Sequence, residues 1–346
     1  MEEAVSVGAR KKAILLSGGP IKVAPDLRLP FRPSRSTAGP GAGSVGIVIA
    51  FQGHRVKKVI SKEKGDFELV VGEGGYALMK DGKVFLDEVE VQPTLFHSPE
   101  QAFFNIETQC IYDCKFCTSR KLEKQVTKNL TPDKIVSMII EASKRTDFKA
   151  VALTSAVVEN PKATIEKMIY IVRQVRDCLG QDLPIGVEPY VDDLKDIDRL
   201  KKAGADEIKL NLESYDREIF QKVCGELDIT WVFKALEHAV EVFGKGKVCS
   251  NIIVGLGESD RNVLEGVEAL AKIGVVPTLR PLRVNDINRQ ALTEALGEVI
   301  PVEEERLLRL ARAHKSILLE HGLTTLSFKT MCHACTCCDL VPFRDL

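Results

Sequence analysis

"NIETQCIYDCKFCTSR", residues 105–120, places Cys110, Cys114 and Cys117 in C-x3-C-x2-C spacing directly after an apolar run, "AFFNIE" (102–107), that reads as a strand. Three thiolates on one short loop can hold three irons of a cubane cluster. With no fourth cysteine nearby, one iron would stay open to a substrate or cofactor. A zinc site completed by a distant residue, or three unconnected thiols, are the alternatives. Zinc sites usually come as paired C-x2-C knuckles, whereas here one spacing is three residues and Phe116 stands just before the last cysteine.

Downstream of this loop the chain alternates strand and helix. "LTPDKIVSMIIEASKR" reads as a helix with Thr131 as N-cap and Pro132 in the first turn, and with Ile135, Met138, Ile139 and Ala142 on one face. "AVALTSA", a helix from Thr164 to Cys178, "PIGVEPY", "LKDIDRLKKAG", "EIKLNLE", a helix over Trp231–Phe243, "KVCSNIIVGLG", "NVLEGVEALAKIG" and "VVPTLRPL" follow in turn. Six βα steps predict an α/β fold with a parallel sheet covered by helices, a barrel or part of one. In such folds chemistry collects on the loops that leave the strands, where the cysteine loop falls.

Upstream, residues 1–99 have a different texture. After "PFRPSRSTAGPGAGS" come short β-type runs, "VGIVIAF", "RVKKVI", "FELVV", "YALM" and "VFLDEVEV", broken by "GEGG" and "KDGK" turns, which predict a small antiparallel β module. "GPGAGS" lacks the Gly-Lys-Ser/Thr ending of a phosphate loop and any preceding strand, so it reads as a connector. The expected division is a β-rich module over 1–99, a barrel over 100–295 and a C-terminal helix with a cysteine-rich segment over 296–346.

The 346 residues are 45% hydrophobic, enough for a sizeable core, and 48 Lys plus Arg balance 49 Asp plus Glu. No global field points to nucleic acid or a membrane. The start, "MEEAVSVGARKKAILLSGG", fits neither a signal nor a transit peptide, and no apolar run is long enough to span a bilayer. A reducing cytoplasm is the expected compartment, where ten clustered cysteines point to metal ligation more than to disulfides.

The last cluster is "MCHACTCCDL" (331–340), which follows an amphipathic helix over Val302–Glu320. Cys332, Cys335, Cys337 and Cys338 offer four thiolates, but neighbours Cys337 and Cys338 point in different directions. Three of the four, or three plus a remote group, is the easier ligand set. Zinc remains the alternative, and His333 is either a ligand or a polar loop residue. Cys178, Cys224 and Cys249 read as small buried residues.

Residues 103–290 resemble the radical S-adenosylmethionine (radical SAM) superfamily, and within it biotin synthase and its relatives. The resemblance implies a partial (βα)6 barrel, a [4Fe–4S] cluster on Cys110, Cys114 and Cys117, and SAM chelating the open iron. "SAVVENP" (155–161) is similar to the family's loop near the SAM amino group. "KLNLESYDREIF" (209–220) resembles its ribose-binding segment through Asn211 and Glu213. "CSNIIVGLGES" (249–259) resembles its G-x-I-x-G-x-x-E element through Ile253, Gly255 and Glu258, with Asn251 where the first glycine is usual. SAM-binding positions are thus expected at Phe116, Ser155, Asn211, Glu213, Ile253, Gly255, Glu258 and Arg283.

In biotin synthase a second cluster donates sulfur. Cys249 matches one of its cysteine ligands, but "AVALTSA" and "GVEPY" lack the other two. The terminal cysteines are the expected replacement, an auxiliary cluster on a mobile segment that meets the substrate at the barrel mouth. This combination resembles the archaeal-type, two-protein lipoyl synthase system. The resemblance implies sulfur insertion at an unactivated carbon of an octanoylated carrier protein, with a second radical SAM partner and a low-potential electron donor. A radical SAM enzyme of another type (methyl transfer, rearrangement or peptide modification), with the second cluster binding substrate or passing electrons, is the alternative. Arg280, Arg283 and Asn285, read as following the last strand, would grip a carboxylate or a carrier backbone, or form a solvated loop.

Overall fold

The computed structural model describes residues 5–35, 44–94, 97–119 and 130–346, so most of the "GPGAGS" connector lies outside them. Helix α1 (Val7–Ser17), capped by the Ser6 side chain, precedes strands β1 (Ile21–Val23), β2 (Ser34–Arg35), β3 (Val45–Phe51), β4 (His54–Ser61), β5 (Phe67–Gly72), β6 (Gly75–Lys80) and β7 (Lys83–Gln92). These seven strands lie in the order β2-β3-β4-β1-β5-β6-β7, and a further β3–β7 pairing closes the sheet on itself. The β3–β4 hairpin turns on Gln52 and Gly53, both at positive φ, the backbone that suits the twist of a two-residue hairpin.

Two features of this module differ from the antiparallel reading. Strand β1 runs parallel to both neighbours, β4 and β5. Its preceding segment is helical, with Lys12 fully buried. A lysine is buried only when paired, and its partner is Asp345 at 2.6 Å, at the other end of the chain.

The second sheet contains β8 (Gln101–Asn105), β9 (Ala150–Thr154), β10 (Ile185–Glu188), β11 (Glu207–Lys209), β12 (Val248–Val254) and β13 (Val276–Pro281). They are parallel and neighbour one another in chain order, with no β8–β13 pairing among the described residues. This is a partial (βα)6 barrel. Its helices are α2 (Pro132–Ala142), α3 (Pro161–Leu179), α4 (Leu194–Ala203), α5 (Arg217–Val223), α6 (Ile229–Phe243), α7 (Asp260–Lys272) and α8 (Arg289–Leu296). Thr131 caps α2 and Pro132 opens it, with Ile135, Ile139 and Ala142 buried and Met138 half-buried, so the amphipathic reading of this segment fits its packing.

Helix α9 (Glu304–Glu320) leads to α10 (Met331–Cys335). The chain between them plugs the barrel at the end where the strands begin. Glu207, first in β11, accepts hydrogen bonds from the Lys329 and Thr330 amides and the Thr330 hydroxyl at 2.6–3.0 Å. Gln101, first in β8, bonds both the amide and the carbonyl of Met331, and the His333 ring meets the Val276 carbonyl at the start of β13. Gly186 leaves room for this tail, since a Cβ there would lie 2.1 Å from Thr330 Oγ1.

The expected mobile segment at the barrel mouth is therefore corrected. Met331, His333, Cys335 and Cys337 are buried, and the tail enters from the opposite end. His333 is a core residue on α10 rather than a polar loop residue, and Cys178 is exposed on α3, whereas Cys224 and Cys249 are buried as expected. No helix among the described residues is long and apolar enough to cross a membrane.

Candidate active site

Strand β8 delivers the chain into the loop that carries Cys110, Cys114 and Cys117, and neighbouring loops hold it in place. The Ile111 amide donates to the Val157 carbonyl at 2.7 Å, and Ala156 donates to Glu107 at 2.9 Å, joining the cysteine loop to the loop after β9. Lys115 donates to the Val223 carbonyl, and the Asn288 side chain donates to the Phe116 carbonyl at 2.9 Å. Glu107 is itself fixed by the Thr164 hydroxyl and by Lys167. Four separate chain segments thus hold a loop that has no regular hydrogen-bonding pattern of its own.

The three thiols open into a cavity of about 320 Å³ at the ends of the strands. Burial pushes the Cys110 and Cys117 thiols up, so without a metal they are held neutral, whereas metal binding would ionise them. Among the described residues, no three of His, Cys, Asp and Glu converge on a point that one ion could occupy. A cubane spreads its ligands wider than a single ion does, and a loop of three thiols facing a cavity fits its donor chemistry.

The structure brings Phe116, Ser155, Asn211, Glu213, Ile253 and Arg283 together on the wall of this cavity. Gly255 and Glu258 are not on that wall. The Glu258 carboxylate accepts from the Gly255 and Leu256 amides at 2.8 and 2.7 Å and from Arg306 at 2.9 Å, so it clamps the turn between β12 and α7. Gly255 sits at φ 108° with its α-carbon close to Val302, a position that excludes any side chain.

Arg280 belongs to β13 rather than to a loop after it, and is buried, which corrects the solvated-loop alternative at that position. Asn285 is part of a turn closed by hydrogen bonds to Ile287 and Asn288, and it also borders the cavity.

Deeper in, a polar group appears that the motifs did not single out. Lys209, last in β11, lies 2.9 Å from Glu188 at the end of β10, and Asn211 donates to the same carboxylate at 3.0 Å. Burial works against the Lys209 charge, but Cys332 and Glu188 outweigh it and raise its pKa. Burial also tends to raise the Glu188 pKa, yet Lys209, Asn211 and Arg280 together lower it. Burial pushes the Glu213 carboxyl up to about 7.

Cys332 completes this inner end. Its sulfur accepts from Arg280 Nη2 at 3.0 Å and from Lys209 Nζ at 3.4 Å, and it lines the same cavity as Cys110, Cys114 and Cys117. A thiol from the tail therefore reaches up the barrel interior toward the loop at the other end. The clue in sequence is slight: Lys209 stands two residues before Asn211, the alternation that puts both on one face of a strand, and Glu188 is the one charged residue of "GVEPY".

Residues 104–270 match the radical SAM superfamily model. They form a radical SAM domain. Its presence implies SAM and a [4Fe–4S] cluster, and Cys110, Cys114 and Cys117 lie together within the matched residues on the loop that faces the cavity. Among curated proteins, the chain is 29% identical over 227 residues to a biotin synthase of Acinetobacter calcoaceticus, covering 63% of this chain and 66% of that one. It is 26% identical over 211 residues to a probable GTP 3′,8-cyclase of Thermococcus kodakarensis, covering 60% and 65%. These matches span just under two thirds of the relatives' own length. Solved structures with a similar fold include methylornithine synthase (TM-score 0.51, 19% identity, 65% of this chain and 70% of that one). The FeFe-hydrogenase maturase HydG from Carboxydothermus hydrogenoformans is comparable (0.50, 21%, 64% and 52%). At these identities the structural likeness speaks for the fold of the radical SAM domain.

Proposed function

We propose that this radical SAM enzyme inserts sulfur at an unactivated carbon, with an octanoylated carrier protein as substrate in lipoyl cofactor synthesis. The observation that carries the reading is that Cys332, from the terminal cysteine cluster, shares one cavity with Cys110, Cys114 and Cys117. Similarity to a protein named biotin synthase supports it.

When bound, the cluster and SAM supply a 5′-deoxyadenosyl radical able to take hydrogen from an unactivated carbon. The protein's share is placement. Asn211 and Glu213 offer polar groups for a ribose, Phe116 and Ile253 give apolar wall, and burial keeps bulk water from the inner end. Lys209 and Arg280 put positive charge beside Cys332, where the terminal thiols would hold the group from which sulfur is drawn. A low-potential electron donor and a second radical SAM protein are the proposed partners.

A second reading has one observation in its favour. Lys209, Arg280 and Arg283 all face the inner cavity and would equally seat an anionic substrate, with the terminal thiols binding it or passing electrons. Anaerobically reconstituted, reduced protein with SAM and an octanoyl-lysyl peptide separates the two. Sulfur insertion yields 5′-deoxyadenosine and a sulfur-bearing peptide by mass spectrometry. With the proposed partner also present, 5′-deoxyadenosine without sulfur on the peptide would reject lipoyl synthesis in favour of the second reading.

A further inference from the structure

The terminal cysteines are not four equivalent ligands. Cys332 and Cys335 sit three apart on α10, hence on one side of the helix. Thr336 then adopts a left-handed conformation (φ 62°), its amide donating to the Cys332 carbonyl at 2.9 Å, and the chain turns. Cys338, three further on, is half-buried like Cys332, to which Arg280 donates.

Cys337 is the most deeply buried of the four. It is buried among Cys335 and Val48 of β3, its thiol donates to the Cys335 carbonyl at 3.3 Å, and its own carbonyl accepts from the Lys57 amide at 2.8 Å. It is tied to the N-terminal module, whereas Cys332 and Cys338 stay half-exposed.

Resting on the reading that the tail holds a second cluster, we infer that Cys332, Cys335 and Cys338 are its protein ligands and that Cys337 is a packing residue. Omitting Cys337 leaves C-x2-C-x2-C, a spacing with which short loops hold iron–sulfur clusters, and a three-thiolate set leaves one iron without a protein ligand. A second, independent observation points to an anionic occupant. Arg280 is 93% buried by its 7% exposure, and its Nε–H has no acceptor among the described residues. A buried guanidinium with a spare donor beside Cys332 complements a thiolate-ligated, sulfide-rich group.

The test uses the full chain with Cys110, Cys114 and Cys117 changed to Ala, so that bound iron reports the tail alone. Cys332→Ala, Cys335→Ala, Cys337→Ala and Cys338→Ala are added singly, folding is checked by circular dichroism, and iron, sulfide and Mössbauer spectra are recorded after anaerobic reconstitution. Cys337→Ala should keep the parent's iron and spectrum, and each of the other three should lose half or more. If Cys337→Ala fails to fold, Cys337→Ser, which keeps the shape of the side chain and is a far poorer cluster ligand, decides the point. Loss of iron from a folded Cys337 variant, or full iron in Cys332→Ala, overturns the assignment while leaving a tail cluster standing. A folded parent without iron overturns the two-cluster reading and the assignment with it.

Discussion

Arg280 Nη2 donates to Cys332 Sγ at 3.0 Å, linking the sixth barrel strand to a thiol that has entered from the far end of the barrel. The contact fixes where the tail sulfur stands relative to the radical SAM loop. A hydrogen bond to a charged group is worth roughly 1.5–3 kcal/mol, and its loss would be felt as about tenfold or more. Arg280→Met should therefore speed chelator-driven loss of tail iron at least tenfold, followed by absorbance in the background that lacks Cys110, Cys114 and Cys117.

Glu207 is the anchor of the plug. Its carboxylate satisfies two amides and a hydroxyl of the tail, and it lies 3.4 Å from Lys247. Glu207→Ala would leave those buried donors unmade, a loss on the order of 3 kcal/mol. Urea denaturation should show that loss, and limited proteolysis should cut the tail of the variant and spare that of the wild type.

Gly186 tests the same plug by crowding. Gly186→Ala sets a methyl 2.1 Å from Thr330 Oγ1 and 2.9 Å from Met331 Cε, and overpacking of this kind costs roughly 1–3 kcal/mol. A lower melting temperature, together with tail cleavage like that of Glu207→Ala, is the expected result. Unchanged stability would mean that the tail does not lie against β10.

Glu213 gives the apoprotein a pH signature. Its ordinary pKa of 4.5 is raised to about 7, chiefly by burial, so the fold favours the protonated carboxyl. The stability this contributes is complete below about 4.5 and is lost as pH rises through about 7. Between those limits the wild type should lose more unfolding free energy than Glu213→Gln, measured by urea titration across the range. Parallel pH profiles would contradict a proton-holding Glu213.

The barrel was legible because its apolar runs alternate with amphipathic helices, each signalled locally, as at Thr131-Pro132 and the Ile135–Ile139–Ala142 face. The cysteine loop was legible because ligand spacing is a local property. Helix α1 was not, since its burial depends on Lys12 reaching Asp345 across the whole chain. The direction of β1 depends on its neighbours β4 and β5, about forty residues on, which no short-range pattern encodes. The tail looked polar and terminal, and its burial follows from Glu207, Gln101 and Gly186 leaving a place for it inside the barrel. Lys209 and Glu188 were missed because a lone charged residue at a strand end carries no signal until its partner is known.

The proposed arrangement has two separate thiol sets serving one cavity, one on the radical SAM loop and one on the tail, which reaches the cavity through Cys332. Its most direct measurement is iron and sulfide counting with Mössbauer spectra, together with 5′-deoxyadenosine assay, on the intact chain and on the variant with Cys110, Cys114 and Cys117 changed to Ala. Two clusters and SAM cleavage are expected in the intact chain, and one cluster with no SAM cleavage in the variant. A folded variant that holds no iron, or an intact chain that holds a single cluster, would contradict it.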